Sequence, residues 1–132
     1  MFIDASAIVA MAAGEPDASR FAVAVAEAGE RFTSPIAIYE STLAVARILA
    51  IPVANAQRAM EEFLAVAEID VVAIPPEAAA LAVDAFARYG KGQGHPAQLN
   101  MGDCFAYASA RHFDVPLLYK GDDFARTDIR RA

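Results

Sequence analysis

The sequence predicts an α/β fold, a three-layer α/β/α sandwich around a short central parallel sheet, with residues 1–132 as a single domain. Three observations predict it. Short apolar runs, "MFID", "RFTS", "IDVVAI" and "VPLLYK", alternate with longer stretches whose apolar residues recur at helical spacing. Strands that alternate with helices indicate a parallel sheet covered on both faces. A chain of 132 residues is long enough for a real core and too short for two domains.

The elements follow in order. "MFID" is a very short strand with Asp4 at its C-terminal end, and "ASAIVAMAAGE" is a small helix stopped by Gly14. Asp17 or Glu15 starts the next helix, in which Phe21, Val25 and Ala28 share a face before Gly29. "RFTS" is a second strand. Ser34 and Pro35 then supply an N-cap and a proline at the first helical position of a helix reaching about Ala50. Pro52 opens another helix, with Val53, Ala56, Met60, Phe63 and Leu64 on one side. "IDVVAI" is a strand stopped by Pro75-Pro76, "PEAAALAVDAFARYG" a helix ending at Gly90, and "KGQGHPAQLN" a stretch of turn formers. Asn100 caps the next helix and places Asp103 at its third position; Phe105, Ala108, Ser109 and His112 form the predicted inward stripe, with Cys104 packing as a small hydrophobe. "VPLLYK" is a buried strand, and "GDDFARTDI" supplies a turn and a terminal element.

Composition narrows the function. The apolar fraction of 57%, much of it alanine, suggests a further buried surface, most simply a protein interface. One cysteine, Cys104, with His95 and His112 falls short of a zinc site and fits a reducing cytoplasm. "ASAIVAMAAG" has no positive residue before it, which argues against export, and no apolar run reaches the roughly 18 residues of a membrane span. A net charge of −6 argues against coating nucleic acid by bulk electrostatics. Residues 1–87 carry four Arg against twelve acids, whereas residues 88–132 carry seven Lys and Arg against five Asp, so the basic surplus lies at the C-terminal end.

Taken singly, each prominent acid has an ordinary explanation. Asp4 caps a helix, Asp103 suits a positive helix end, Glu40 snorkels beside Arg47, and Asp122 and Asp123 are solvated in a turn. Considered together they read differently. In a parallel sheet, strand C-termini and helix N-termini lie at one edge, so the acids can converge there. Desolvated carboxylates need a cation, and an all-oxygen anionic site suits Mg²⁺ or Mn²⁺. Such an ion can activate water and stabilise charge on a phosphoryl oxygen, which points to phosphodiester hydrolysis.

"MFIDASAIVA", "SPIAIYE", "LNMGDCFAYA" and "LLYKGDDFARTDI", in that order and spacing, resemble the PIN-domain fold and, more narrowly, the VapC-type toxins of bacterial toxin–antitoxin pairs. The resemblance runs from residue 1 to about 130. It matches Asp4, Glu40 and Asp103 to the family's three clearest acids; either Asp122 or Asp123 matches the fourth, with Asp123, next to Phe124, preferred. Ser6 matches a small hydroxyl position that orients Asp4 or a water. The resemblance implies a Mg²⁺- or Mn²⁺-dependent endoribonuclease that cuts RNA, often tRNA or rRNA. It further implies a cognate antitoxin that blocks the site, and a homodimer. Lys91, His95, Arg111, Lys120, Arg126, Arg130 and Arg131 are candidates for flanking phosphates.

Two other readings compete. A phospho-acceptor receiver domain would use clustered acids to bind Mg²⁺ with Lys120 ending a strand, but it needs an acceptor Asp at a central strand's end, and Asp70 falls at a strand's start. A third reading keeps the PIN-like fold with a binding or assembly role only; the complete acid set argues against it.

Overall fold

The computed structural model describes residues 1–132. Four strands, β1 (Phe2–Ile3), β2 (Phe32–Thr33), β3 (Asp70–Val71) and β4 (Leu117–Leu118), form one parallel sheet in the order β3-β2-β1-β4. Six helices cover it: α1 (Ala5–Ala12), α2 (Ala18–Glu27), α3 (Pro35–Ile48), α4 (Val53–Val66), α5 (Ala78–Tyr89) and α6 (Met101–His112). A 3-10 turn, Phe124–Arg126, follows β4.

Each strand is only two residues long, and strand alternation sorts those two residues onto opposite faces. Phe2 and Leu117 are paired in register and fully buried on the face covered by α5 and α6, beside Tyr107 and Leu99. Ile3 and Leu118, the next pair, are buried on the other face with Phe21 of α2, Val45 of α3 and Met60 of α4. The three-layer α/β/α arrangement read from the sequence is therefore the observed one.

Local signals set the helix starts. Ser34 Oγ accepts the Ala37 N–H at 3.2 Å, with Pro35 at the first helical position; a cap of this kind contributes about 1 kcal/mol. At α6 the capping is reciprocal: Asn100 Oδ1 accepts the Asp103 N–H at 3.0 Å, and Asp103 Oδ2 accepts the Asn100 N–H at 2.8 Å.

Several elements differ from expectation. The strand read over "IDVVAI" contracts to Asp70–Val71, both exposed. It is an edge strand that pairs only with β2, and after the Val72 N–H reaches Thr33 O the chain turns toward Pro75 and Pro76, which cannot donate. His112 is exposed rather than inward, its ring edge-on to Phe113, because the buried face of α6 widens to include Ala106, Tyr107 and Ala110 beside Ala108 and Ser109. On α4, Ala56, Met60 and Leu64 are buried, Phe63 half-buried and Val53 exposed. The C-terminal tail adds one parallel bridge to β4, Leu117 to Arg131.

Candidate active site

The sheet's C-terminal edge is where α1, α3 and α6 begin, and there the acids meet. Asp4, immediately after β1, is the N-cap of α1: its Oδ2 accepts the Ser6 N–H at 2.9 Å and the Ser6 hydroxyl at 2.5 Å. Ser6 Oγ in turn accepts the Lys120 N–H at 3.0 Å, which ties the start of α1 to the end of β4. Ser6 thus bonds one oxygen of Asp4 through both its N–H and its hydroxyl. Only one oxygen of Asp4 serves the cap. Asp103 is arranged likewise, with Oδ2 in the capping box and its other oxygen free of hydrogen bonds.

Glu40 comes from the second turn of α3, with Ile36 and Ala44 half-buried around it. Its carboxylate lies directly over Gly102, the second residue of α6: a β-carbon built there would stand 2.1 Å from Oε2 and 2.3 Å from Oε1. Any β-carbon here would force the Glu40 carboxylate to move. A glycine in a helix costs about 1 kcal/mol relative to alanine, so this position gives up helix stability for a close approach. Gly102 is the residue that the sequence reading missed. Its signal was a glycine in the first turn of an otherwise well-capped helix, next to the candidate acid.

Electrostatics show that the four carboxylates share one field. Burial pushes Asp4 above the usual carboxylate range, although the Ser6 and Ala5 donors oppose it. Glu40 is raised by burial and then by the charge of Asp4. Asp103 is pushed up to about 7, first by burial and then by the charges of Asp4, Glu40 and Asp123, against the stabilising Asn100 N–H. Asp123 is exposed at the start of the 3-10 turn, and its charge reaches Asp103. Asp122 is exposed in the same turn. Of the two alternatives left open for the fourth acid, Asp123 is the one whose charge contributes to raising Asp103.

None of the chain's ion pairs neutralises these acids: Arg47 does not pair with Glu40, and Lys120 pairs instead with Glu15 of the α1–α2 loop. No three of the carboxylates stand close enough to close directly on one ion. Mg²⁺ is commonly held through one or two carboxylates and waters rather than an all-protein cage. The donors are all oxygen and anionic, the donor chemistry of a hard divalent cation.

This short parallel sheet with acids gathered at its C-terminal edge defines a class, and the comparisons agree. A profile of the PIN domain matches residues 1–130. The chain belongs to the PIN-domain family. Its relatives there are VapC ribonucleases. Ribonuclease VapC30 of Mycobacterium tuberculosis is 42% identical over 129 residues, spanning 98% of this chain and 95% of its own. A VapC ribonuclease of Rhizobium meliloti is 36% identical over 139 residues, spanning 97% and 98%. Among solved structures, Mycobacterium tuberculosis VapC20, described as a sarcin-ricin loop cleaving toxin, superposes with a TM-score of 0.77 at 16% identity, covering 99% of this chain and 97% of its own. At that identity the likeness is one of fold.

Proposed function

We propose that this chain, an enzyme of the ribonuclease class by its relatives, is a Mg²⁺- or Mn²⁺-dependent endoribonuclease and the toxin of a toxin–antitoxin pair. One observation carries the metal dependence: four carboxylates from separate elements share a partly desolvated site in which no side chain balances their charge. Asp4, Glu40, Asp103 and Asp123 would hold the ion, directly or through water. The ion supplies activation of the attacking water and stabilisation of charge on the phosphoryl oxygen. Ser6 donates to Asp4 through its N–H and its hydroxyl, which opposes the effect of burial on that carboxylate, and Gly102 makes room for Glu40.

RNA would reach this acidic edge from the chain's basic end. Lys91 and Arg126 are exposed, as are Arg111, Arg130 and Arg131 on the same C-terminal part of the chain, and His95 is half-buried against Tyr89. These cations suit flanking phosphates, with tRNA or rRNA as the substrate class. Lys120, held by Glu15, is less available for that role than the sequence suggests.

The apolar surplus is consistent with protein partners, a second copy and an antitoxin. Tyr39 of α3, Val83 of α5 and Met101 of α6 are each more than half exposed. No helix is long and apolar enough to cross a membrane; the reading places the enzyme with its RNA in the cytoplasm. The receiver-domain alternative lacks support, because Asp70 opens an exposed edge strand, away from the clustered acids' strand ends.

The test is RNA-end mapping after brief induction of the wild type and of Asp4→Asn. Discrete new ends in transfer or ribosomal RNA with the wild type alone are expected. The same ends with both proteins would contradict the reading.

A further inference from the structure

The segment from Tyr119 to Ala132 carries Asp123 yet contains no regular structure beyond its 3-10 turn and one bridge. Something must fix the carboxylate opposite Asp103. Phe124 is buried against Tyr119, ring centroids 5.1 Å apart, and Arg126 Nη1 donates to Pro96 O at 2.7 Å. The most elaborate attachment is at Asp128. Its Oδ1 accepts the Tyr107 hydroxyl at 2.6 Å, and its Oδ2 accepts Arg88 Nη2 at 2.9 Å.

Both partners are fixed before they meet Asp128. Tyr107 is buried on α6, four residues after Asp103, so the two side chains lie on one face of that helix, one turn apart. Arg88 is stacked on the Tyr89 ring at 4.5 Å and paired with Asp84 at 3.3 Å, which restricts the guanidinium before it binds. The same helix that presents Asp103 therefore also grips the strap that presents Asp123.

We propose that Asp128 is a positioning residue: clamped by Tyr107 and Arg88, it sets Asp123 against Asp103. This rests on the reading that these acids hold a divalent ion. Both Asp128 oxygens are engaged by Tyr107 and Arg88, so Asp128 acts through the five-residue step back to Asp123. Two carboxylates from different elements can share an ion only while their separation is held, and the groups that orient metal-binding side chains commonly alter affinity as the ligands themselves do.

The test is a mutant cycle on the full chain, with Mn²⁺ alone titrated by calorimetry. Asp128→Asn removes the Arg88 pairing, and Tyr107→Phe removes one hydroxyl while keeping the buried ring. Each is expected to weaken Mn²⁺ binding about tenfold. Neither should weaken it further once Asp123→Asn is present, and RNA cleavage by Asp128→Asn should return to the wild-type rate at saturating Mn²⁺. The same factor in both backgrounds, or a lower melting temperature with unchanged Mn²⁺ affinity, overturns the clamp. The underlying metal reading fails separately, through Asp103→Asn binding Mn²⁺ as tightly as the wild type, and that outcome removes the clamp with it.

Discussion

The Glu40 carboxylate of α3 rests on the bare Cα of Gly102 in α6, at a distance no β-carbon could occupy. This contact joins two helices from opposite faces of the sheet and makes Glu40 part of a site centred on Asp103. It also separates stability from function in a testable way. Gly102→Ala gains about 1 kcal/mol of helix propensity, while the clash is relieved by swinging a flexible carboxylate toward solvent. The variant is expected to melt no lower than the wild type and yet to bind Mn²⁺ at least tenfold more weakly, a loss of the size seen when a ligand's support is removed. Calorimetry and thermal melting on the same sample check both halves.

Asp122 and Asp123 should differ sharply. The charge of Asp123, and not that of Asp122, contributes to raising Asp103. Asp123→Asn is expected to lower the cleavage rate by tenfold or more, and Asp122→Asn to change it less than threefold, on the scale of a lost ligand against a surface substitution. Steady-state cleavage of one RNA by both variants distinguishes them.

The Ser6 donors lower the Asp4 pKa against the pull of burial. Ser6→Ala removes the hydroxyl bond and lifts that pKa further. The acid limb of the pH–rate profile is therefore expected to move to higher pH, with the alkaline limb unchanged. A profile displaced in height alone would assign Ser6 a structural role.

Metal-free stability has a pH signature. Asp103 titrates at about 7 in the folded chain and near about 3.9 when unfolded, so between those values the folded state holds a proton that the unfolded state releases. Raising the pH through that window lowers stability. In chelator, the wild-type melting temperature is expected to fall from pH 4 toward pH 7 by several degrees more than that of Asp103→Asn, whose amide keeps the capping bond and cannot ionise. Parallel slopes would contradict the assignment.

Much of this was readable in the sequence, and the reasons are local. "SPIAIYE" and "LNMGD" carry their own helix starts, and the strand–helix alternation implies the edge at which Asp4, Glu40 and Asp103 meet. The remainder depends on contacts distant in sequence. A periodicity count could not show that His112 turns outward, because the burial of α6 is set by packing against α5 and the sheet, which together cover more than one stripe. Nor could it shorten "IDVVAI" to two residues, since only sheet order shows β3 to be an edge. Nor could local sequence show what holds Asp128, whose partners, Tyr107 and Arg88, are 21 and 40 residues away.

The central claim is that Asp4, Glu40, Asp103 and Asp123 act together through a divalent cation to cut RNA. Its most direct test is a cleavage assay with the purified chain, chelated and then supplied with Mg²⁺ or Mn²⁺, alongside Asp4→Asn and Asp103→Asn. The account predicts cleavage by the wild type only when metal is restored, and none by either folded variant at any metal concentration tried. Undiminished cleavage in chelator, or by both variants, would contradict it.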